Sequence, residues 1–178
     1  MVKTFFKFYK MLSTNNKWID LIVLPKKIEK RLKEESEKTG VSEEEIILEA
    51  LSKALNEPLD PETKVEIHLK LSEKYLKDAE EFLTKKDYIQ ASEKAWSAAA
   101  QIVKALAAKE GKELRSHASL WQFVDEIAEK LQDIELRRLW SRANSLHQNF
   151  YENWMPPRDV IYAIEDVKKF VERIRKFL

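Results

Sequence analysis

Two glycines in 178 residues leave this chain almost nowhere to turn tightly. Short hairpins need backbone at positive φ, which glycine adopts without steric cost. A chain so poor in glycine, yet 44% hydrophobic, is expected to fold by packing helices rather than strands. Its charges nearly balance, 32 basic against 31 acidic, so total charge points neither to a nucleic-acid coat nor to an acidic partner. Cysteine is absent, which excludes disulfides and thiolate metal sites. No apolar run approaches the roughly 18–20 residues needed to span a bilayer, and a soluble cytoplasmic protein without membrane contact is expected. Abundant Lys and Glu without Cys is also a thermophile pattern.

Residues 1–17 carry Lys3, Lys7, Lys10 and Lys17 without an acid, with Phe5, Phe6, Phe8 and Tyr9 among them. They read as a poorly ordered extension, the alternative being a basic aromatic arm for phosphates or a membrane surface. Residues 18–57 form a second unit. Trp18 to Leu24 is rich in β-branched and apolar residues and stops at Pro25, as a short strand would. A helix carrying Ile28 and Leu32 follows and ends at Thr39-Gly40. Ser42 with Glu45 predicts a capping box, and Val41 with Ile46 a hydrophobic staple. The helix they open has an apolar stripe of Ile46, Ile47, Ala50, Leu51, Ala54 and Leu55, expected to be buried.

This order of strand, proline, helix, glycine and capped helix resembles a ribbon-helix-helix unit, which implies a homodimer. In DNA-reading members, alternate strand residues are polar. The matching positions here are Ile19, Leu21 and Val23, which cannot read base-edge donors and acceptors. Sequence-specific DNA binding is therefore not expected, and the segment reads as a dimerisation element.

Residues 58–178 read as a helical bundle. Asp60 and Pro61 start a long helix through Val65, Leu69, Tyr75, Leu76, Ala79, Phe82 and Leu83. His68 lies beside that stripe without a second ligand at i+4. Asp87 caps an alanine-rich helix ending near Gly111, whose small residues let neighbours approach closely. Ser116 caps a third helix, with Arg115 and His117 at its start as a candidate phosphate site. Asp133 starts a fourth, and Pro156-Pro157 separates it from a fifth through Val160, Ile161, Ile164, Val167, Phe170, Val171 and Ile174. No glycine loop or metal-spaced cluster is evident, so no cofactor and no metal are expected.

The fourth helix carries Arg142, Asn144 and His147, followed by Phe150, Tyr151 and Trp154. Arg-x4-His with aromatics on a late helix, followed by another helix, resembles the HEPN superfamily. The wording from Ala143 to Trp154 is similar to its archaeal PaREP family. The resemblance implies an all-α, five-helix up-and-down bundle and metal-independent RNA cleavage in a cleft between two subunits. Arg142 and His147 would be catalytic, with Asn144 orienting them. Chemically, histidine suits activation of a ribose 2′-hydroxyl, and arginine suits the crowded phosphate charge. Active members have a polar residue after the arginine; here it is Ala143.

Helical geometry supplies a competing structural reading. Five positions at about 100° each separate Arg142 and His147 by about 140° around the axis. His147 falls on the stripe of Leu136, Leu139, Trp140, Ala143, Leu146 and Phe150, with Arg142 on its flank. Three functional readings compete: a ribonuclease, as a toxin beside an antitoxin partner, as the resemblance implies; a non-catalytic dimeric module for nucleic acid or protein; or, again as the resemblance implies, a nucleotide-binding companion of a minimal nucleotidyltransferase. A nucleotide site would draw on Tyr151, Trp154 and Arg158.

Overall fold

The computed structural model describes residues 24–39 and 41–178. Every regular element among them is an α-helix. The expected extension at 1–17, the strand from Trp18 and the role of Gly40 as a helix stop lie outside the described residues, Leu24 excepted.

Among the described residues seven helices follow in order: α1 (Lys26–Thr39), α2 (Glu43–Leu55), α3 (Pro61–Thr84), α4 (Tyr88–Lys109), α5 (His117–Lys130), α6 (Ile134–Glu152) and α7 (Pro157–Arg175). Local chemistry sets their ends. Ser42 and Glu45 form the expected capping box at α2. Asp60 accepts from Thr63 N–H at 2.7 Å, with Pro61 opening α3. Asp87, Ser116 and Asp133 cap α4, α5 and α6 through their side chains. At the end of α4, Gly111 sits at φ 70°. Its N–H reaches Ala108 O, and Lys112 N–H reaches Ala107 O at 2.8 Å, the paired bonds of a Schellman stop.

Helix α4 is the axis of the bundle and packs against α3, α5, α6 and α7. Its alanines make this possible. Ala91, Ala95, Ala98, Ala99 and Ala105 are fully buried, and such small side chains bring helix axes close. Trp140, Leu146, Val160, Ile164 and Phe170 fill the space around them from α6 and α7. A polar clamp fixes the α6–α7 turn to α4. Asn149, 1% exposed, donates to Ser92 Oγ at 2.9 Å and accepts from Met155 N–H at 2.7 Å. Helix α6 ends at Asn153 in the left-handed region, φ 47°, before the proline pair is reached.

Two apolar stripes depart from expectation. Helix α2 buries no residue; Leu51 is 46% and Leu55 72% exposed. The stripe is periodic, but among the described residues no element buries it, and Ile46 and Ile47 are only part-buried. Ile161 is likewise 41% exposed, because the core side of α7 is occupied by Val160, Ala163, Ile164 and Val167. No described helix is long and apolar enough to cross a membrane.

Candidate functional site: an aromatic and imidazole groove

Three helices bring their rings together around Trp96, in the first half of α4. Trp96 projects from α4 among alanines, His117 is the first residue of α5, and His147 lies in the last third of α6. The His117 and His147 ring centroids are 4.7 Å apart, tilted by 33°. Trp96 lies 4.8 Å from His147 and 5.4 Å from His117. Each ring thus touches the other two. Tyr151, one turn after His147, meets it edge-on at 5.2 Å. Trp140 backs the array from the core, 5.0 Å from Trp96.

The array sits in a groove of about 520 Å³ between α1–α2 and the bundle. Trp96 is buried at its base, His147 is half-buried, and His117 and Tyr151 are exposed. Lys33 and Lys94 line the groove too, as do Glu43 and Glu93. The Lys94 ammonium lies over the Tyr75 ring at 5.3 Å, a cation–π contact.

Burial governs the protonation of both imidazoles. It pushes His147 down to about 4, helped by the proximity of His117. Burial and the Lys104 charge lower His117 as well. Both rings are thus mainly neutral near pH 7, each offering one donor and one acceptor nitrogen. Nδ1 of His147 is buried without a hydrogen-bond partner. It therefore lacks the carbonyl partner that a purely structural histidine would be expected to have.

The other expected site residues disperse. Arg142 turns away from His147 toward α7, donating from Nη2 to the Asp159 carbonyl at 3.4 Å, with Nε 4.0 Å from Asp166. One chain therefore does not bring Arg142 and His147 together. Asn144 donates to the Trp140 carbonyl of its own helix at 2.9 Å. Arg115 pairs with Glu113 at 3.0 Å and lies 4.0 Å from Glu49, so it and His117 face different surroundings. Arg158 donates to Tyr162 Oη at 3.3 Å and lies over that ring. Trp154 is 51% exposed, and neither it nor Arg158 lines the groove. Of the sequence candidates, the groove gathers His117, His147 and Tyr151.

Trp96 was legible as a core residue but not as the floor of a site. Lys104 and Gln101 were not legible as functional at all. Their signal is two polar residues three apart in the otherwise apolar run from Ala98 to Ala108 of that helix, and both are buried. They meet Glu45 of α2: Gln101 Nε2 donates to it at 2.7 Å and Lys104 Nζ at 2.9 Å. His68 completes the cluster, with Nδ1 2.7 Å from Gln101 Oε1.

Residues 67–171 match the model of the archaeal PaREP1/PaREP8 family. The match spans more than half of the chain and includes every ring of the groove array. A crystal structure of a protein from Sulfolobus solfataricus is similar, at 28% identity and a TM-score of 0.53, covering 60% of this chain and 95% of that one. No curated protein matches. The chain belongs to the archaeal PaREP1/PaREP8 family.

Proposed function

We propose that this PaREP1/PaREP8-family protein binds nucleoside phosphates, free or within single-stranded RNA, in the Trp96–His117–His147 groove. The contact among those three rings carries the reading. A groove of about 520 Å³ lies within the roughly 300–1,000 Å³ of small-molecule sites. Exposed and half-exposed rings offer faces for a base to stack on, a contact worth about 1–3 kcal/mol per base. Neutral imidazoles offer hydrogen bonds to base edges without repelling or attracting charge, and Lys33 and Lys94 supply cations for a phosphate. The HEPN-type bundle and the ribbon-helix-helix-like dimer element remain part of this proposal, as does a nucleotidyltransferase or antitoxin partner.

Ribonuclease action is a second reading, favoured by one observation. The contacts of Arg142 with α7 are long, 3.4 and 4.0 Å, which leaves its guanidinium free to turn toward a second subunit. Cleavage would then need the homodimer, with Arg142 of one protomer serving His147 of the other.

A labelled single-stranded oligoribonucleotide and free AMP, titrated separately in EDTA, test both readings. Binding of either, weakened about 5- to 100-fold by Tyr151→Ala or His117→Ala, supports the groove. Cleavage to a 2′,3′-cyclic phosphate, abolished by His147→Ala and by Arg142→Ala, supports the nuclease. Binding that survives Tyr151→Ala and His117→Ala unchanged contradicts the groove.

A further inference from the structure

One wall of the groove is the helix pair α1–α2, and its attachment to the bundle is unusual in kind. Helix α2 has no fully buried residue, and its Ile46, Ile47 and Leu48 are only part-buried. Its shortest ties to the bundle are two consecutive carboxylates in its first turn, with Glu49 4.0 Å from Arg115 beside them. Glu45 accepts from Gln101 at 2.7 Å and from Lys104 at 2.9 Å through each oxygen, while also bonding Ser42 of its own cap. Glu44 accepts from Tyr75 Oη at 2.6 Å and from Lys74 Nζ at 2.9 Å. Lys104 is 5% exposed, so the socket is built into the bundle rather than laid on its surface.

An attachment of this kind is specific in position but weak in net energy. Ion pairs and hydrogen bonds largely exchange one set of partners for water, whereas apolar burial does not. Segments with little buried apolar area open at lower free energy than the core they rest on. The chain from Asn56 to Asp60 joining α2 to α3 has no regular structure beyond a turn at Asn56, and all but Leu59 is exposed. The family match begins at residue 67, so the matched unit does not include α1–α2.

We propose that α1–α2 is a displaceable cover over the ring groove, latched by seating Glu44 and Glu45 in the socket of Lys74, Tyr75, Gln101 and Lys104. Closed, the pair confines the groove; released, it opens the wall facing Trp96 and His147. Its purpose rests on the groove being a binding site, but its movement does not.

Hydrogen exchange of the full-length protein, read by mass spectrometry, tests the cover directly. In the wild type, amides of α2 should exchange through an opening that leaves α4 and α6 protected. In E44Q/E45Q, protection of α2 should fall by roughly tenfold or more with α4 and α6 unchanged. Diethyl pyrocarbonate should then modify His147 faster in the same variant. Lys104→Met should release the cover from the bundle side. Should the double variant fail to fold, the wild-type pattern alone decides. Exchange of α2 and α4 together, by global unfolding, would overturn the cover, as would wild-type protection and His147 reactivity in E44Q/E45Q. Release of the cover without nucleoside phosphate binding would fault the groove reading and leave the cover standing.

Discussion

Both carboxylate oxygens of Glu45 lie 2.9 Å from the ammonium of Lys104, a lysine 5% exposed toward the C-terminal end of an alanine-rich helix. Taking two ions out of water costs several kcal/mol, and their attraction offsets this only where further hydrogen bonds satisfy them. Gln101 and Ser42 supply those bonds to Glu45. The pair thus defines where α2 sits.

Acid should loosen this attachment. Burial opposes ionisation of Glu45, but the Lys104 and His68 charges and the bonds from Lys104 and Gln101 outweigh it, lowering its pKa below 4.5. Glu44 behaves likewise: burial is outweighed by bonds from Tyr75 and Lys74 and by the Lys74 charge. A carboxylate with a lowered folded pKa stabilises above its unfolded value, and that contribution is lost as pH falls through the folded one. Docking of α1–α2 should therefore be complete above about pH 4.5 and weaken below it. Pulsed hydrogen exchange across that range checks this; protection of α2 unchanged until the whole bundle unfolds would refute it.

His147 sets a different window. Its folded pKa of about 4 lies below the ordinary 6.5, so on acidification the unfolded chain takes up the proton first. Stability from this group is fully present above about pH 6.5 and declines until about pH 4. Because the ring is partly exposed, the loss should be on the order of 1–2 kcal/mol after solvent screening. Urea unfolding at a series of pH values should show a smaller loss in His147→Phe than in the wild type, the remainder coming from His117 and His68, whose pKa values burial also lowers.

The two imidazoles should be coupled. Proximity of His117 adds to burial in holding His147 down. His117→Gln should raise the His147 pKa while leaving it below 6.5, because burial is the larger cause. An NMR titration of the imidazole resonances measures this, and an unmoved His147 would show the rings to be independent.

Asn149→Ala should destabilise the bundle by about 2–3 kcal/mol, since it strands the buried Met155 N–H and removes the donor to Ser92. Chemical denaturation provides the test. A loss under about 0.5 kcal/mol would mean that the α6–α7 turn is held by packing alone.

Helix ends were legible because each rests on a local rule. Asp60, Asp87, Ser116, Asp133 and Gly111 act within a few residues of themselves. The alanine face of α4 was legible for the same reason. The burial of α2 was not, since periodicity reveals an apolar stripe but not what covers it. The groove was half legible. His117, His147 and Tyr151 stood out by residue type, but their meeting at Trp96 depends on how α5 and α6 cross α4. Arg142 shows the limit most clearly: spacing placed it some 140° from His147, and tertiary packing gave it to α7.

A nucleoside phosphate received in the ring groove would be reported directly by the imidazoles. Titrating AMP, and separately a short oligouridine, while following the side-chain resonances of His117, His147 and Tyr151 tests it. Stacking predicts ring-current shifts at these three residues that saturate together and shrink in Tyr151→Ala. Resonances that stay fixed up to millimolar ligand, or that move equally in wild type and Tyr151→Ala, would contradict the account.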